Sequence, residues 1–340
     1  VSFGPDRPIR VLVADDSELF RELLTRAIGA EPGFEVVAVA ADGAAAAALA
    51  RAERPDVITM DLNMPDADGF SGIARIMADT PTPILVLTAN KVDEVGFKAL
   101  SLGALDIIEK PQATTDLEAY GQELRSRLRL LAGVKVIRHV RGLRERRAAA
   151  PRRAARAELV VIGASLGGPR ALATLLRALP ADFPAPVAIV QHIADGFTGG
   201  LAGWLAQECR LEVSEARDRD PLRQGRVLLA PSGRHLLVQD GVARLSDAPA
   251  LDTFKPSVTP LFLSAARHYG ARACGVILTG MGRDGAEGMK ALKATGAVTL
   301  AQDEATSAVF GMPRAAIELG AVDRVLPLEE IARSLVEVTR

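Results

Sequence analysis

The sequence predicts an α/β protein of two domains, each a doubly wound parallel sheet with helices on both faces. Three observations lead there. Short apolar runs recur along the chain, as strands buried on both faces of a sheet require. Stretches of helical length and amphipathic pattern alternate with them. The length of 340 residues accommodates about two domains of roughly 150 residues each.

In the first third, apolar runs predict strands over residues 9–14, 35–40, 57–60, 84–88 and 107–109. Helical stretches lie between them, such as 18–28, 44–52 and 92–101, and residues 115–131 read as the last helix. This assigns residues 1–132 to a first domain. The composition then shifts. From Arg138 to Arg156 the chain carries eight arginines and one glutamate. That segment reads as a solvated linker, 133–157, and it lacks the aromatic residues that stack on nucleic-acid bases. From residue 158 to 340 a second α/β domain follows, with buried-strand patterns at 159–162, 187–190, 227–230, 274–279 and 298–301.

Composition excludes several classes. The formal net charge of −1 supplies no field toward DNA or a membrane surface. No apolar run approaches the roughly 20 residues of a membrane span, and no charged-then-apolar leader is evident. Two cysteines, Cys209 and Cys274, make no disulfide framework and read as reduced thiols. These features predict a cytoplasmic protein without nucleic-acid partners or membrane insertion, and it is expected to be a monomer.

Parallel strands of an open sheet end at a common edge, where sites form. In the first domain that edge collects Asp15 and Asp16 after the first strand, Asp61 after the third, Thr88 ending the fourth and Lys110 ending the fifth. One aspartate alone reads as a surface or capping residue. Three carboxylates, a hydroxyl and an ammonium together read as a Mg²⁺ site at which an aspartate accepts a phosphoryl group. These residues closely resemble two-component response-regulator receiver domains, whose fold is flavodoxin-like, over about residues 9–131. The resemblance implies that Asp61 is phosphorylated. It implies Mg²⁺ held by Asp15, Asp16, Asp61 and the Asn63 carbonyl, and a phosphoryl group met by Thr88 and Lys110. Ile107 stands where such domains often carry an aromatic residue.

In the second domain, V-V-I-G-A-S-L-G-G (160–168) places Ser165 in a Gly-rich turn after a buried strand. Such a turn either cradles a phosphate or exposes a nucleophilic hydroxyl. A serine nucleophile needs a base, and the base an orienting acid. Of four histidines, only His192 directly follows a buried strand; His139 lies in the linker, His235 opens a strand and His268 lies in a helical stretch. Asp284 stands in T-G-M-G-R-D-G-A-E-G, past another buried strand and just before a helix over 286–294, which it is equally placed to cap. The residues alone leave the triad and the turn-and-cap readings both open. The order Ser, His, Asp disfavours the lipase-type arrangement.

Residues 158–338 strongly resemble the catalytic domain of the chemotaxis protein-glutamate methylesterases (CheB). The matching segments include I-G-A-S-L-G-G, Q-H-I-A-D-G-F-T, K-P-S-V, L-T-G-M-G-R-D-G-A-E-G and Q-D-E-A-T-S-A-V-F-G-M-P-R-A-A-I. The resemblance implies a Rossmann-like domain with Ser165 as nucleophile, His192 as base, Asp284 as orienting acid and the Met281 backbone N–H as oxyanion donor. It further implies hydrolysis of glutamate methyl esters and glutamine amides on chemoreceptors, without a cofactor for that reaction. It also implies control by a CheA-type histidine kinase, with the unphosphorylated receiver covering the esterase site. Leu166, Thr259 and Ala194 depart from the usual threonine, aspartate and proline. The alternatives are a phospho-switched scaffold with a decayed esterase, an adaptation enzyme of a pathway with non-flagellar output, and a DNA-binding regulator; the last lacks a helix-turn-helix signal.

Overall fold

The computed structural model describes residues 7–64, 69–89, 94–112, 115–134, 156–250 and 254–340, and the chain divides into two units, residues 1–138 and 139–340. Most of the expected linker therefore lies outside the described residues. At its end, Arg156 and Ala157 already belong to the second unit. The Ala157 N–H and the Arg156 guanidinium donate to the carbonyls of Val338 and Thr339.

The first unit alternates β1 (Ile9–Ala14), α1 (Glu18–Gly29), β2 (Phe34–Ala40), α2 (Gly43–Glu53), β3 (Val57–Asp61), α3 (Gly69–Asp79), β4 (Ile84–Thr88), α4 (Glu94–Leu102), β5 (Asp106–Glu109) and α5 (Leu117–Ala132). Its sheet has the order β2-β1-β3-β4-β5, all parallel. The central strands β3 and β4 are buried along their whole length, which accounts for their unbroken apolar sequence. The last helix begins at Leu117 rather than 115, because the Asp116 carboxylate caps it by accepting the N–H groups of Glu118 and Ala119. Because strand order reverses between β1 and β3, a crevice opens where those two strands end.

The second unit runs β6 (Leu159–Ala164), α6 (Gly168–Ala178), β7 (Val187–Gln191), α7 (Thr198–Glu208), β8 (Glu212–Glu215), β9 (Arg226–Leu229), β10 (His235–Gln239), β11 (Val242–Ser246), α8 (Val258–His268), β12 (Ala273–Ile277), α9 (Ala286–Ala294), β13 (Val298–Gln302), α10 (Met312–Glu318), β14 (Arg324–Leu326) and α11 (Leu328–Thr339). Seven parallel strands take the order β14-β13-β12-β6-β7-β9-β8, with β10 and β11 forming a separate antiparallel hairpin. The strands β8 and β14 lie at the sheet edges, where only part of each side-chain row is buried. Their sequences are correspondingly mixed and do not read as strands. The chain enters mid-sheet at β6, builds outward through β7, then returns to add β12 on the other side. The end of β6 is thus the reversal point of this sheet.

Helices α8 and α9 pack on β12 and β6 through Val258, Leu261, Phe262, Met289 and Leu292, forming the core beneath that edge. Both cysteines are free. Cys274, fully buried in β12, has its thiol pushed up to about 12 by burial, so it is inert packing. Among the described residues no helix is long and apolar enough to cross a membrane.

Candidate active site

Register builds the first unit's site. Ala14 pairs with Met60, so Asp15 and Asp61 lie side by side at adjoining strand ends. Carboxylate oxygens of Asp15, Asp16 and Asp61 all fall within 4.8 Å of one another. Lys110 follows β5, and its Nζ lies 2.6 Å from Asp15 Oδ2 and 2.9 Å from Asp61 Oδ2. The first contact is an ion pair without hydrogen-bond alignment, so Asp15 Oδ2 stays buried with no aligned donor. Thr88 is buried at the end of β4, and its carbonyl accepts the Lys110 N–H. The Asn63 N–H donates to Asp61 Oδ1 at 3.3 Å, which brings that peptide to the site. In this unit the five strand-end residues named from the sequence converge.

Three negative charges here face one positive charge. Burial pushes the Asp15 carboxyl above its ordinary value, with Lys110 only partly offsetting the rise. Lys110 would be lowered by burial, but its pairing with the carboxylates of Asp15 and Asp61 outweighs that and holds it above its ordinary value. Hard oxygen donors, excess negative charge and a carboxylate oxygen lacking an aligned donor fit Mg²⁺. At ten times its dissociation constant, Mg²⁺ is expected to stabilise this unit by about 1.4 kcal/mol. The readout is an upward shift of its thermal transition that EDTA reverses and Asp15→Asn removes; an unchanged transition would exclude these carboxylates as the ligand set.

The second unit repeats the logic with different chemistry. Ala164 pairs with Gln191, and the His192 N–H donates to the Ala164 carbonyl at 2.9 Å. On the other side the Ser165 N–H donates to the Thr279 carbonyl at 3.0 Å. Ser165 is thereby held between the ends of β7 and β12. Gly280 must be glycine for this approach, since a Cβ there would stand 2.7 Å from the Ser165 Cβ and 2.3 Å from the Met312 sulfur. The adjacent Met281 N–H donates to no acceptor among the described residues, as an oxyanion donor requires. Its side chain is 41% exposed at the same loop.

His192 Nε2 lies 2.8 Å from Asp284 Oδ2, and the His192 side chain is only 5% exposed. Its other ring nitrogen, Nδ1, is buried and makes no hydrogen bond. The ring is therefore oriented by Asp284 through Nε2, leaving Nδ1 as the nitrogen available to accept a proton. No hydrogen bond joins Ser165 to His192. Catalytic bonds of this kind commonly tighten only when substrate is present.

Asp284 does not cap the helix that follows it. Gly285 is the N-cap of α9 and makes no side-chain cap bond. Instead Asp284 accepts from the N–H groups of Val258 (2.6 Å) and Thr259 (3.0 Å), the first residues of α8, and from the hydroxyls of Ser257 (2.8 Å) and Thr259 (2.7 Å). It therefore holds the His192 ring and caps a distant helix at once. Burial would raise its carboxyl. The His192 bond and charge, with Thr259 and Val258, outweigh burial and hold it well below the ordinary carboxylate range. The Thr259 hydroxyl donates to Asp284 while accepting the Gly285 N–H at 2.9 Å. A second carboxylate at this position would face the first.

Several supporting residues escaped the sequence reading. Gln191 Nε2 donates to the carbonyls of both Ser165 (2.8 Å) and His192 (2.7 Å), joining the two backbones. The Thr279 hydroxyl donates to the Leu166 carbonyl at 2.9 Å, fixing the turn after Ser165 through its backbone rather than its side chain. This is why leucine is compatible with the turn. Ser257 is placed in turn by His235, whose Nδ1 accepts the Ser257 N–H at 3.1 Å. Gln191 and Thr279 stand at strand ends, and Gln191, Ser257 and Thr279 lie in the segments quoted above, but no local pattern signals these contacts.

Family profiles match the chain in two places: response regulator receiver domain over residues 11–121 and CheB methylesterase over residues 160–335. The protein-glutamate methylesterase/protein-glutamine glutaminase 2 of Anaeromyxobacter dehalogenans (strain 2CP-C) is 78% identical over 337 residues, covering 99% of each chain. The protein-glutamate methylesterase/protein-glutamine glutaminase 3 of Myxococcus xanthus (strain DK1622) is 45% identical over 97% of this chain and 94% of its own. The crystal structure of the Thermotoga maritima CheB methylesterase catalytic domain aligns with a TM-score of 0.52 at 40% identity, covering 54% of this chain and 98% of that one.

Proposed function

This chain belongs to the CheB methylesterase family, joined to a response-regulator receiver domain, and from that premise we propose that it demethylates glutamate γ-methyl esters and deamidates glutamines on chemoreceptors, under control of phosphorylation at Asp61. The observation that carries the reading is the Asp284–His192 pair at the sheet edge that also carries Ser165, with Nδ1 of the imidazole unpaired.

In the proposed reaction the Ser165 Oγ attacks the ester carbonyl as His192 Nδ1 takes its proton. The Met281 N–H donates to the developing oxyanion, and the Asp284 carboxylate balances the imidazolium. The C–O bond to methoxide breaks, and His192 returns the proton so that methanol leaves. Water then attacks the acyl-enzyme with His192 as base, releasing the glutamate carboxylate and restoring Ser165. With a glutamine amide the same steps release ammonia. Each event adds one negative charge to the receptor.

Asp61 is the proposed phosphoacceptor, supplied by a histidine kinase of the CheA type in the cytoplasm. Asp15, Asp16, Asp61 and the Asn63 carbonyl would hold Mg²⁺, which when bound neutralises phosphoryl oxygens. Lys110 and Thr88 meet the same oxygens. Phosphorylation brings a charge near −2 into a site prearranged for it, and that change is proposed to release the esterase. Methanol release from methylated receptor fragments tests the whole reading. A small-molecule phosphodonor is expected to raise it on the order of tenfold, the size of an ordinary allosteric coupling. Asp61→Asn is expected to remove that increase. No methanol from the wild type would overturn the activity, and stimulation that persists in Asp61→Asn would overturn the gating.

A further inference from the structure

Residues 254–259 form a strap along the second unit's site. Its far end supplies the donors to Asp284, through Ser257, Val258 and Thr259. Its near end is Phe254, whose ring lies on the His192 imidazole with centroids 4.1 Å apart and planes only 2° from parallel. One short segment therefore contacts both the base and the acid.

The strap is anchored independently of the triad. The Lys255 carbonyl accepts the Gly233 N–H, and its ammonium donates to the Asp247 carbonyl at 3.0 Å. Buried His235 ties the Ser257 N–H at Nδ1 to the Pro249 carbonyl at Nε2. Phe254 is thus presented by a fixed backbone.

Asp284 restrains one edge of the imidazole, through a single hydrogen bond at Nε2. Turning of the ring about its Cβ–Cγ bond is opposed by that one hydrogen bond, and Nδ1 has no partner to add to it. A parallel aromatic ring in contact with one face blocks that rotation. The negative π-face also favours the imidazolium formed when His192 carries the serine proton.

We propose that Phe254 is a positioning residue for the base, holding the His192 ring in the plane that keeps Nε2 on Asp284 and Nδ1 ready for Ser165. This rests on the assignment of Ser165 and His192 as nucleophile and base.

The test uses the full-length protein as wild type, Phe254→Leu and Phe254→Tyr. It compares kcat and KM for methanol release, the rate of Ser165 labelling by a fluorophosphonate, and the thermal midpoint. Misorientation of a catalytic group costs roughly 10- to 100-fold in rate. Phe254→Leu is expected to lose kcat and labelling rate together by about that factor, with KM within about twofold. Phe254→Tyr, which keeps the planar face, is expected to retain both rates. Wild-type rates in Phe254→Leu would overturn the proposal, as would an equal loss in both variants. If the wild type is labelled at Ser165 but releases no methanol, the substrate assignment fails while labelling rates still decide the role of Phe254. If the wild type is not labelled at all, both fail.

Discussion

Ser165→Ala is expected to lower methanol release by at least about 10⁴-fold, since removing a nucleophile leaves only binding and oxyanion stabilisation. The thermal midpoint is expected to stay near that of the wild type. The turn at Ser165 is held by its backbone, through the Thr279 carbonyl on one side and the Gln191 amide on the other. Its hydroxyl takes part in neither bond, so its loss costs only about 0.5 kcal/mol. Separating activity from stability in this way is the strongest check on the nucleophile. Release by Ser165→Ala at the wild-type rate would remove Ser165 from the reaction.

Asp284→Asn is expected to do both kinds of damage. An amide accepts with one atom and donates with the other, whereas both carboxylate oxygens of Asp284 face donors. At least two of those donors would meet an N–H group in the variant. The expected cost is about 3 kcal/mol of stability in the second unit. The same change loses the carboxylate that selects the ring tautomer of His192, and kcat is expected to fall about 10⁴-fold. Denaturant unfolding and methanol release measure the two effects separately; a fully stable Asp284→Asn would contradict its capping of α8.

The sign of the pH dependence follows from the same bonds. Folding lowers the Asp284 carboxyl below its ordinary value of 3.8. Its stabilisation is therefore complete above that value and is lost as pH falls toward the lower folded value. Asp15 runs oppositely. Its folded carboxyl lies above 3.8, so without metal its ionised form destabilises the first unit at neutral pH, and acidification into the window above 3.8 relieves this. The two units are expected to diverge on mild acidification, and Mg²⁺ to remove the effect in the first.

Much of this was legible in the sequence. Doubly buried strands advertise themselves as apolar runs, and the residues just past them must share a sheet edge, because parallel strands end together. That logic alone collected Asp15, Asp61, Thr88 and Lys110 in one place, and Ser165, His192 and Asp284 in another. The edge strands β8 and β14 were not legible, since half-exposed strands carry mixed sequence.

The contacts made by the turn at 160–168 and by Asp284 needed three dimensions. Asp284 pairs with His192 and also caps a helix, but that helix is α8, 26 residues earlier in the chain. Phe254 meets His192 only because the strap crosses the end of β7, and Gln191 joins two backbones from beneath them. The sequence by itself determined which residues reach each sheet edge, because hydrophobic periodicity and strand direction are local properties. Only the tertiary structure decided which atoms meet there. Hydrogen-bond and stacking geometry depends on ångström-scale placement of segments distant in the chain, and no local pattern encodes it.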